Sequence, residues 1–198
     1  QIDCQYDGCM LLTVEGRVYN WGYNYHGSLG NNSGNSWQPV IPGGLSNINI
    51  VKIASGGYAK YGITIEGNLF VWGDNNDYTF GTNTTSDYYS AYMHNYLSNV
   101  TDICPGYYNS FYVSNGQIYS SGTNDYGNCF PKTGTTDTST GNISTPVLWG
   151  SDVADIFSYN YYGRQIRTDY INFNTLVSKF GRGGAGDTER FFSAAWNN

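Results

Sequence analysis

The 198-residue chain contains 26 glycines and 20 tyrosines, and only 12% of its residues are charged. That composition favours turns and β-strands, and its apolar content is too high for a disordered chain. The net charge of −6 argues against a nucleic-acid partner, which needs a basic surface, and no stretch is long and apolar enough to span a membrane as a helix.

A segment of alternating apolar residues recurs along the chain. Residues 12–22 read Leu-Thr-Val-Glu-Gly-Arg-Val-Tyr-Asn-Trp-Gly, residues 63–73 read Ile-Thr-Ile-Glu-Gly-Asn-Leu-Phe-Val-Trp-Gly, and residues 112–122 read Tyr-Val-Ser-Asn-Gly-Gln-Ile-Tyr-Ser-Ser-Gly. A weaker fourth copy is Val-Ser-Lys-Phe-Gly at 177–181. Because the alternation stands on either side of a tight turn that contains glycine, each copy predicts a β-hairpin.

These copies predict one repeat domain with approximate repeats 1–52, 53–102, 103–155 and 156–198, the last of them degenerate. We expect Trp21 and Trp72 to be equivalent positions, each buried against the adjacent repeat. We also expect residues 1–10 or 187–198 to dock on repeat elements distant in sequence. The predicted repeat core consists of Trp21, Gly22, Trp72, Gly73, Gly122, Phe180 and Gly181.

The order of these motifs resembles the repeats of the regulator of chromosome condensation family. The shared pattern is Leu-Thr, acid-Gly, aliphatic-aromatic, Trp-Gly, Asn, Gly and Leu-Gly, followed by Pro-x-x-Val and Val-x-x-Ile-x-x-Gly. It matches residues 12–56 closely, 58–107 well, 108–163 in part, and the remainder only through Phe180 and Gly181. The resemblance implies an all-β, propeller-like array of about four blades of antiparallel strands, in a ring that is incomplete or completed by an oligomer.

Four cysteines, Cys4, Cys9, Cys104 and Cys129, allow three disulfide pairings, and buried thiols are the alternative. The pairing that we expect joins Cys4 to Cys9 and Cys104 to Cys129. Disulfides indicate an oxidising compartment, so the expected location is extracellular. Candidate glycosylation sites, about as many as chance provides, occur at Asn31, Asn83, Asn99 and Asn142.

Several motifs fall short of a catalytic or metal site. Gly181, Gly183 and Gly186 form a G-x-G-x-x-G pattern, but no βαβ unit surrounds it. Residues 74–77 cluster oxygen ligands without the glycine and glutamate of an EF-hand. His26 and His94 complete no catalytic set. We therefore expect no enzyme activity, no cofactor and no metal.

Tyrosines cluster around the repeat junctions and long loops, where they suit blade packing, subunit packing or a ligand surface. Two functions follow. The first expectation is an extracellular structural protein that self-assembles into homo-oligomers or a polymer, with a filament as one form. The alternative is a monomeric binding module for a protein or glycan. The tyrosines in question are Tyr58, Tyr61, Tyr88, Tyr89, Tyr92, Tyr107, Tyr108, Tyr159, Tyr161 and Tyr162.

Overall fold

The structure is a computed structural model that describes residues 1–5, 8–124, 129 and 141–151. These residues form three four-stranded antiparallel sheets. The first contains β1 (Ile2–Gln5), β2 (Gly8–Leu12), β3 (Val18–Gly22) and β4 (Ser36–Val40); the second β5 (Ile50–Gly56), β6 (Ala59–Thr64), β7 (Leu69–Gly73) and β8 (Tyr88–Met93); the third β9 (Val100–Pro105), β10 (Asn109–Ser114), β11 (Gln117–Gly122) and β12 (Ile143–Ser151). A short 3-10 helix, Tyr25–Gly27, follows β3.

Each sheet is one blade, because its four strands pair in chain order. The first strands lie innermost: β5 contacts β1 and β2 of the preceding blade, and β9 contacts β5 and β6. The prediction of antiparallel all-β blades is therefore confirmed. The fourth predicted copy, with Phe180 and Gly181, lies outside the described residues.

The predicted hairpins are present in all three blades, as β2–β3, β6–β7 and β10–β11. Their turns place glycine in the left-handed region, with φ of 78° at Gly16, 80° at Gly67 and 73° at Gly116. A side chain at those backbone angles would be strained, which explains why glycine recurs there.

Two hydrophobic cores lie between the blades rather than within them. The core between the first and second blades contains Met10, Leu12, Val18, Leu45, Ile50, Ile53, Phe70 and Trp72. The core between the second and third contains Ala54, Ala59, Tyr61, Ile63, Leu69, Val71, Phe80, Leu97, Val100, Ile103 and Tyr112. Because alternate residues of a strand point to opposite faces, β7 supplies Phe70 and Trp72 to one core and Leu69 and Val71 to the other.

A recurring backbone hydrogen bond also joins neighbouring blades. Asn32, in the loop after β3, donates its N–H to the carbonyl of Tyr89 in β8 at 3.1 Å. One blade later, Asn83 donates to the carbonyl of Ser144 in β12 at 2.8 Å. The loop after the third strand of the first blade and that of the second are thus each tied to the outer strand of the following blade.

Trp21 and Trp72 differ in burial, contrary to expectation. Trp72 is fully buried and contacts Gly30 of the first blade, where a Cβ atom would lie 2.9 Å from its Cδ1. Trp21 is only half-buried. The reason is positional: the described residues place no blade against the outer face of the first sheet, which carries Trp21.

The cysteines show one disulfide among the described residues. Cys4 and Cys9 are cross-strand neighbours in β1 and β2, with Cα atoms 4.1 Å apart, and they form a disulfide. The expected bridge between Cys104 and Cys129 is not formed. Cys104 lies in β9, whereas the Sγ atom of Cys129 donates to carbonyl oxygens at the end of β11. Since β10 lies between β9 and β11, those two strands are about 9–10 Å apart, which is more than a disulfide can span.

The N-terminal residues belong to the first blade. The main chain of β1 pairs with the neighbouring β2 and not with a strand of another blade. Its side chains nevertheless reach the second blade: Gln1 exchanges two hydrogen bonds with the Ile53 backbone, and Asp3 accepts one from the Ser55 N–H at 2.9 Å. Residues 187–198 lie outside the described part. Within that part, no helix is long and apolar enough to cross a bilayer.

Candidate functional site

Two sets of loops emerge at the same edge of the blades. Consecutive antiparallel strands reverse direction, so the loop between the first and second strands and the loop between the third and fourth lie at one end of each sheet. In the second blade these loops are residues 57–58 and 74–87; in the third, the first of them is 106–108. We call this edge, with residues 23–35 of the first blade, the tyrosine rim.

One asparagine organises the longer rim loop in each blade. The Asn24 side-chain oxygen accepts the Leu29 N–H at 2.8 Å, and Asn75 accepts the Phe80 N–H at 2.9 Å. In the third blade, Asn124 does the same for Cys129 at 2.9 Å. Burial raises the pKa of the Cys129 thiol to about 12 and keeps it protonated. The same asparagine hydrogen bond thus recurs in the three described blades.

Glycines at the ends of the third strands allow the two rim loops to approach closely. Gly73 has φ 98°, and a Cβ atom there would lie 2.1 Å from the Tyr58 carbonyl oxygen. Gly122 has φ 102°, and its Cβ would lie 2.3 Å from the Tyr108 carbonyl oxygen. Tyr58 and Tyr108 therefore occupy the same place in consecutive blades.

A row of aromatic rings crosses the rim from the first blade to the third. The ring centroids of Tyr25 and Tyr58 are 5.2 Å apart, and those of Tyr58 and Tyr107 are 6.2 Å apart. Tyr107 then contacts Tyr108 at 4.2 Å. Tyr25 is 53% exposed and the other three are half-buried, so the row presents ring surface to solvent.

His26 joins the aromatic row to a cluster of carboxylates. Its ring lies 4.7 Å from that of Tyr25, and its Nδ1 lies 2.7 Å from the Asp87 Oδ2. The other Asp87 oxygen accepts the Asn75 N–H at 2.9 Å. The His26–Asp87 contact thus joins the rim loop of the first blade to that of the second.

The donor atoms of His26, Asp74 and Asp87 lie within 4.8 Å of one another, a spacing that a metal ion could bridge. Two of the three residues already have neutral protein partners. Asp74 accepts the Asn76 N–H at 3.0 Å and Asp87 accepts that of Asn75, which are the bonds of a structured loop. The cluster is therefore explained as a contact between blades.

The second histidine lies away from the rim, between β8 and β9. The His94 Nε2 donates to the Phe80 carbonyl at 2.8 Å, while its Nδ1 accepts the N–H groups of Tyr96 and Leu97, each at 3.2 Å. Burial lowers the pKa of His94 to about 4. His94 is a neutral structural residue.

The amides of three proposed glycosylation sites take part in loop hydrogen bonds. Asn31 donates to the Gly34 carbonyl at 3.1 Å, Asn99 to the Asn115 side chain at 2.8 Å, and Asn142 to the Asp77 carboxylate at 3.3 Å. Asn83 is exposed and has φ 59°. Their arrangement gives these asparagines a role in loop structure.

Comparison with known proteins identifies the repeat. The family model described as the regulator of chromosome condensation (RCC1) repeat matches residues 15–59. Within this chain, residues 15–59 are thus shown to match one RCC1-type repeat. A relative named RCC1 domain-containing protein RUG3, mitochondrial, from Arabidopsis thaliana is 40% identical over 82 residues, which cover 41% of this chain and 18% of RUG3.

Similarity to a second relative extends through most of the chain. The human probable E3 ubiquitin-protein ligase HERC4 is 26% identical over 191 residues, which are 94% of this chain and 18% of HERC4. The chain therefore spans about a fifth of the length of these relatives. The crystal structure of Prp20p from Saccharomyces cerevisiae superposes with a TM-score of 0.63 over 75% of this chain and 38% of that one, at 20% identity, and shows the same propeller fold.

These RCC1-type relatives overturn the expected function and location. Neither a self-assembling structural protein nor an extracellular one is found among the three: RUG3 is named as mitochondrial, HERC4 as a probable ubiquitin ligase, and Prp20p is described with its binding to Gsp1p and histones. The expectations of an extracellular location and of a secreted filament are wrong. The alternative, a binding module, fits the relatives better.

The sequence missed the residues that join the rim. The sequence clusters Tyr58, Tyr107 and Tyr108 near repeat junctions. It does not single out Tyr25 or predict the contact between His26 and Asp87. His26 and Asp87 are 61 positions apart and meet only because neighbouring blades stack. A signal for Tyr58 was present, because its position one residue before the second strand of its blade is repeated by Tyr108.

Proposed function

We propose that this chain is a non-catalytic, propeller-type protein-binding module that holds a partner on the tyrosine rim. The observation that carries the proposal is the continuous row of Tyr25, Tyr58, Tyr107 and Tyr108, which crosses three blades. Tyrosine is an amphipathic and stiff contact residue, so it gives a large contact area at low cost in side-chain entropy.

The scaffold supports this use of the rim. Asn24 organises the loop that carries Tyr25. The close approach at Gly73 and Gly122 positions the backbone of Tyr58 and Tyr108, so the rings are held in place before a partner arrives. A surface that is ordered in advance loses less entropy on binding. The description of Prp20p, a protein of similar fold, mentions binding to Gsp1p and histones, so a related propeller has protein partners.

A peptide library displayed on phage tests the proposal with the purified chain. We expect peptides to be enriched that bind the parent protein and bind a Tyr25→Ala/Tyr58→Ala double variant at least about tenfold more weakly, as expected for the loss of central aromatic contacts. Tyr96→Ala is the matched control, because Tyr96 is 48% exposed but lies in the loop between β8 and β9, at the opposite edge. Enriched peptides that bind the Tyr25→Ala/Tyr58→Ala double variant as tightly as they bind Tyr96→Ala would refute a rim site.

A further inference from the structure

The charged residues around the tyrosine row are mainly carboxylates. On the described part of the rim these are Asp74, Asp77 and Asp87, all in the loop of the second blade, and of the three Asp74 is buried while Asp77 and Asp87 are partly exposed. Lys60, in β6, is 2% exposed, and its Nζ donates to the Gly57 carbonyl at 3.3 Å, so its charge is not presented on the rim surface. The side of the rim that a partner would meet is therefore aromatic and acidic.

The acidic and aromatic groups form one continuous surface. His26 contacts the Tyr25 ring at 4.7 Å and the Tyr58 ring at 6.0 Å, and its Nδ1 lies 2.7 Å from Asp87. Asp77 lies at the far side of the same loop, where its carboxylate accepts a hydrogen bond from Asn142 of the third blade. A ligand that follows the row thus passes His26 and Asp87, and Asp77 lies on the same loop toward the third blade.

Aromatic faces and carboxylates share one kind of ligand. The face of a tyrosine ring attracts a cation within about 6 Å, and guanidinium groups stack on such faces as well as pairing with carboxylates. The chain as a whole carries a net charge of −6, which adds attraction at a distance for a positive partner. An acidic partner would meet repulsion on the same surface.

We infer that the partner segment held on the tyrosine rim is a cationic, arginine-containing peptide. The inference rests on the proposed function and adds the chemistry of the ligand. Guanidinium groups of the segment stack on Tyr25 and Tyr58, while others pair with Asp77 and Asp87. Arginine is favoured over lysine because a planar guanidinium uses the ring face and the carboxylate together.

Fluorescence anisotropy with a labelled peptide of alternating arginine and glycine tests the inference. We expect the parent chain to bind this peptide at least about tenfold more tightly than the same peptide with lysine, glutamate or citrulline in place of arginine. Raising the salt from about 50 to 300 mM should weaken the binding about fivefold or more, because the partly exposed charges are screened.

Variants of the rim locate the peptide on it. Asp77→Asn and Tyr58→Leu should each weaken binding about fivefold or more, whereas Tyr96→Leu at the opposite edge and Glu66→Gln in the exposed β6–β7 turn should change it less than about twofold. Circular dichroism of each variant confirms that it is folded. Equal binding of the arginine and glutamate peptides, no binding of either by the folded parent chain, or insensitivity to both rim variants would overturn the inference.

The phage selection separates this inference from the proposed function. Enriched peptides that need Tyr25 and Tyr58 but contain no excess of arginine would leave the binding module intact and refute the cationic ligand. Saturable binding of a neutral oligosaccharide to the same tyrosines, with no arginine-peptide binding, would refute both proposals. Enrichment of arginine-containing sequences that lose binding in Asp77→Asn would support both.

Discussion

Protonation of His94 should destabilise the folded chain below neutral pH. Burial lowers its pKa to about 4 from an ordinary value of 6.5, and its Nδ1 accepts two backbone N–H groups that a protonated ring could no longer bond. The unfolded chain therefore binds a proton at a higher pH than the folded chain does. The stabilisation that depends on neutral His94 is complete above pH 6.5 and is lost as the pH falls toward 4. The full loss in the free energy of unfolding from this group is about 3 kcal/mol.

Urea unfolding monitored by circular dichroism at pH 7.5, 6, 5 and 4.5 measures this dependence. Carboxylates elsewhere in the chain also titrate in this range. The informative quantity is therefore the difference in the free energy of unfolding between the parent chain and His94→Gln, because glutamine does not titrate. We expect that difference to favour the parent chain at pH 7.5 and to shrink by about 2 kcal/mol or more by pH 4.5. A difference that stays constant with pH would refute the reasoning.

Three shorter predictions concern the blade scaffold. Gly73→Ala should lower the free energy of unfolding by about 2 kcal/mol or more, because a Cβ atom at φ 98° would strike the Tyr58 carbonyl, whereas Gly34→Ala, in open space, should change it by less than about 0.5 kcal/mol. Asn75→Ala should cost about 2–3 kcal/mol in urea unfolding, because this buried amide bonds four groups of its loop. Cys129 should resist iodoacetamide at pH 8 until the chain is unfolded, as mass spectrometry of the digest would show, because burial raises its pKa to about 12.

The hairpins of the described blades could be predicted from sequence because their causes are local. The turn between β6 and β7 is a three-residue loop, 65–67, that ends in the left-handed Gly67 and is closed by the hydrogen bond from the Thr64 N–H to the Asn68 carbonyl. That loop determines which residues pair, and Ile63 accordingly lies opposite Leu69. The recurring spacing then predicts several similar blades. Each of these inferences uses residues that are close together in the chain.

The disulfides and the rim depend on which strands and blades become neighbours. Cys4 and Cys9 are joined through one hairpin, so adjacency in sequence was enough to favour their pairing. Cys104 and Cys129 also looked close in sequence, but an intervening strand separates their positions. The His26–Asp87 contact has no local pattern at all, because it depends on the stacking of two blades.

Burial of equivalent residues likewise depends on the neighbouring blade, and this gives a final prediction for Trp21 and Trp72. The two occupy the same repeat position, yet only Trp72 lies against a preceding blade in the described structure. Trp72→Ala should therefore lower the free energy of unfolding by about 3–5 kcal/mol, as large truncations in a packed core do.

Trp21→Ala should cost less than about 2 kcal/mol, because the half-buried indole transfers less apolar surface out of water and leaves no closed cavity. Urea unfolding followed by circular dichroism compares the two variants without relying on tryptophan fluorescence. Trp72→Phe is a useful third variant, since it keeps an aromatic ring against Gly30 and should recover part of the loss. If Trp21→Ala proves as costly as Trp72→Ala, a surface outside the described contacts covers Trp21, and burial at this repeat position cannot be assigned from the preceding blade alone.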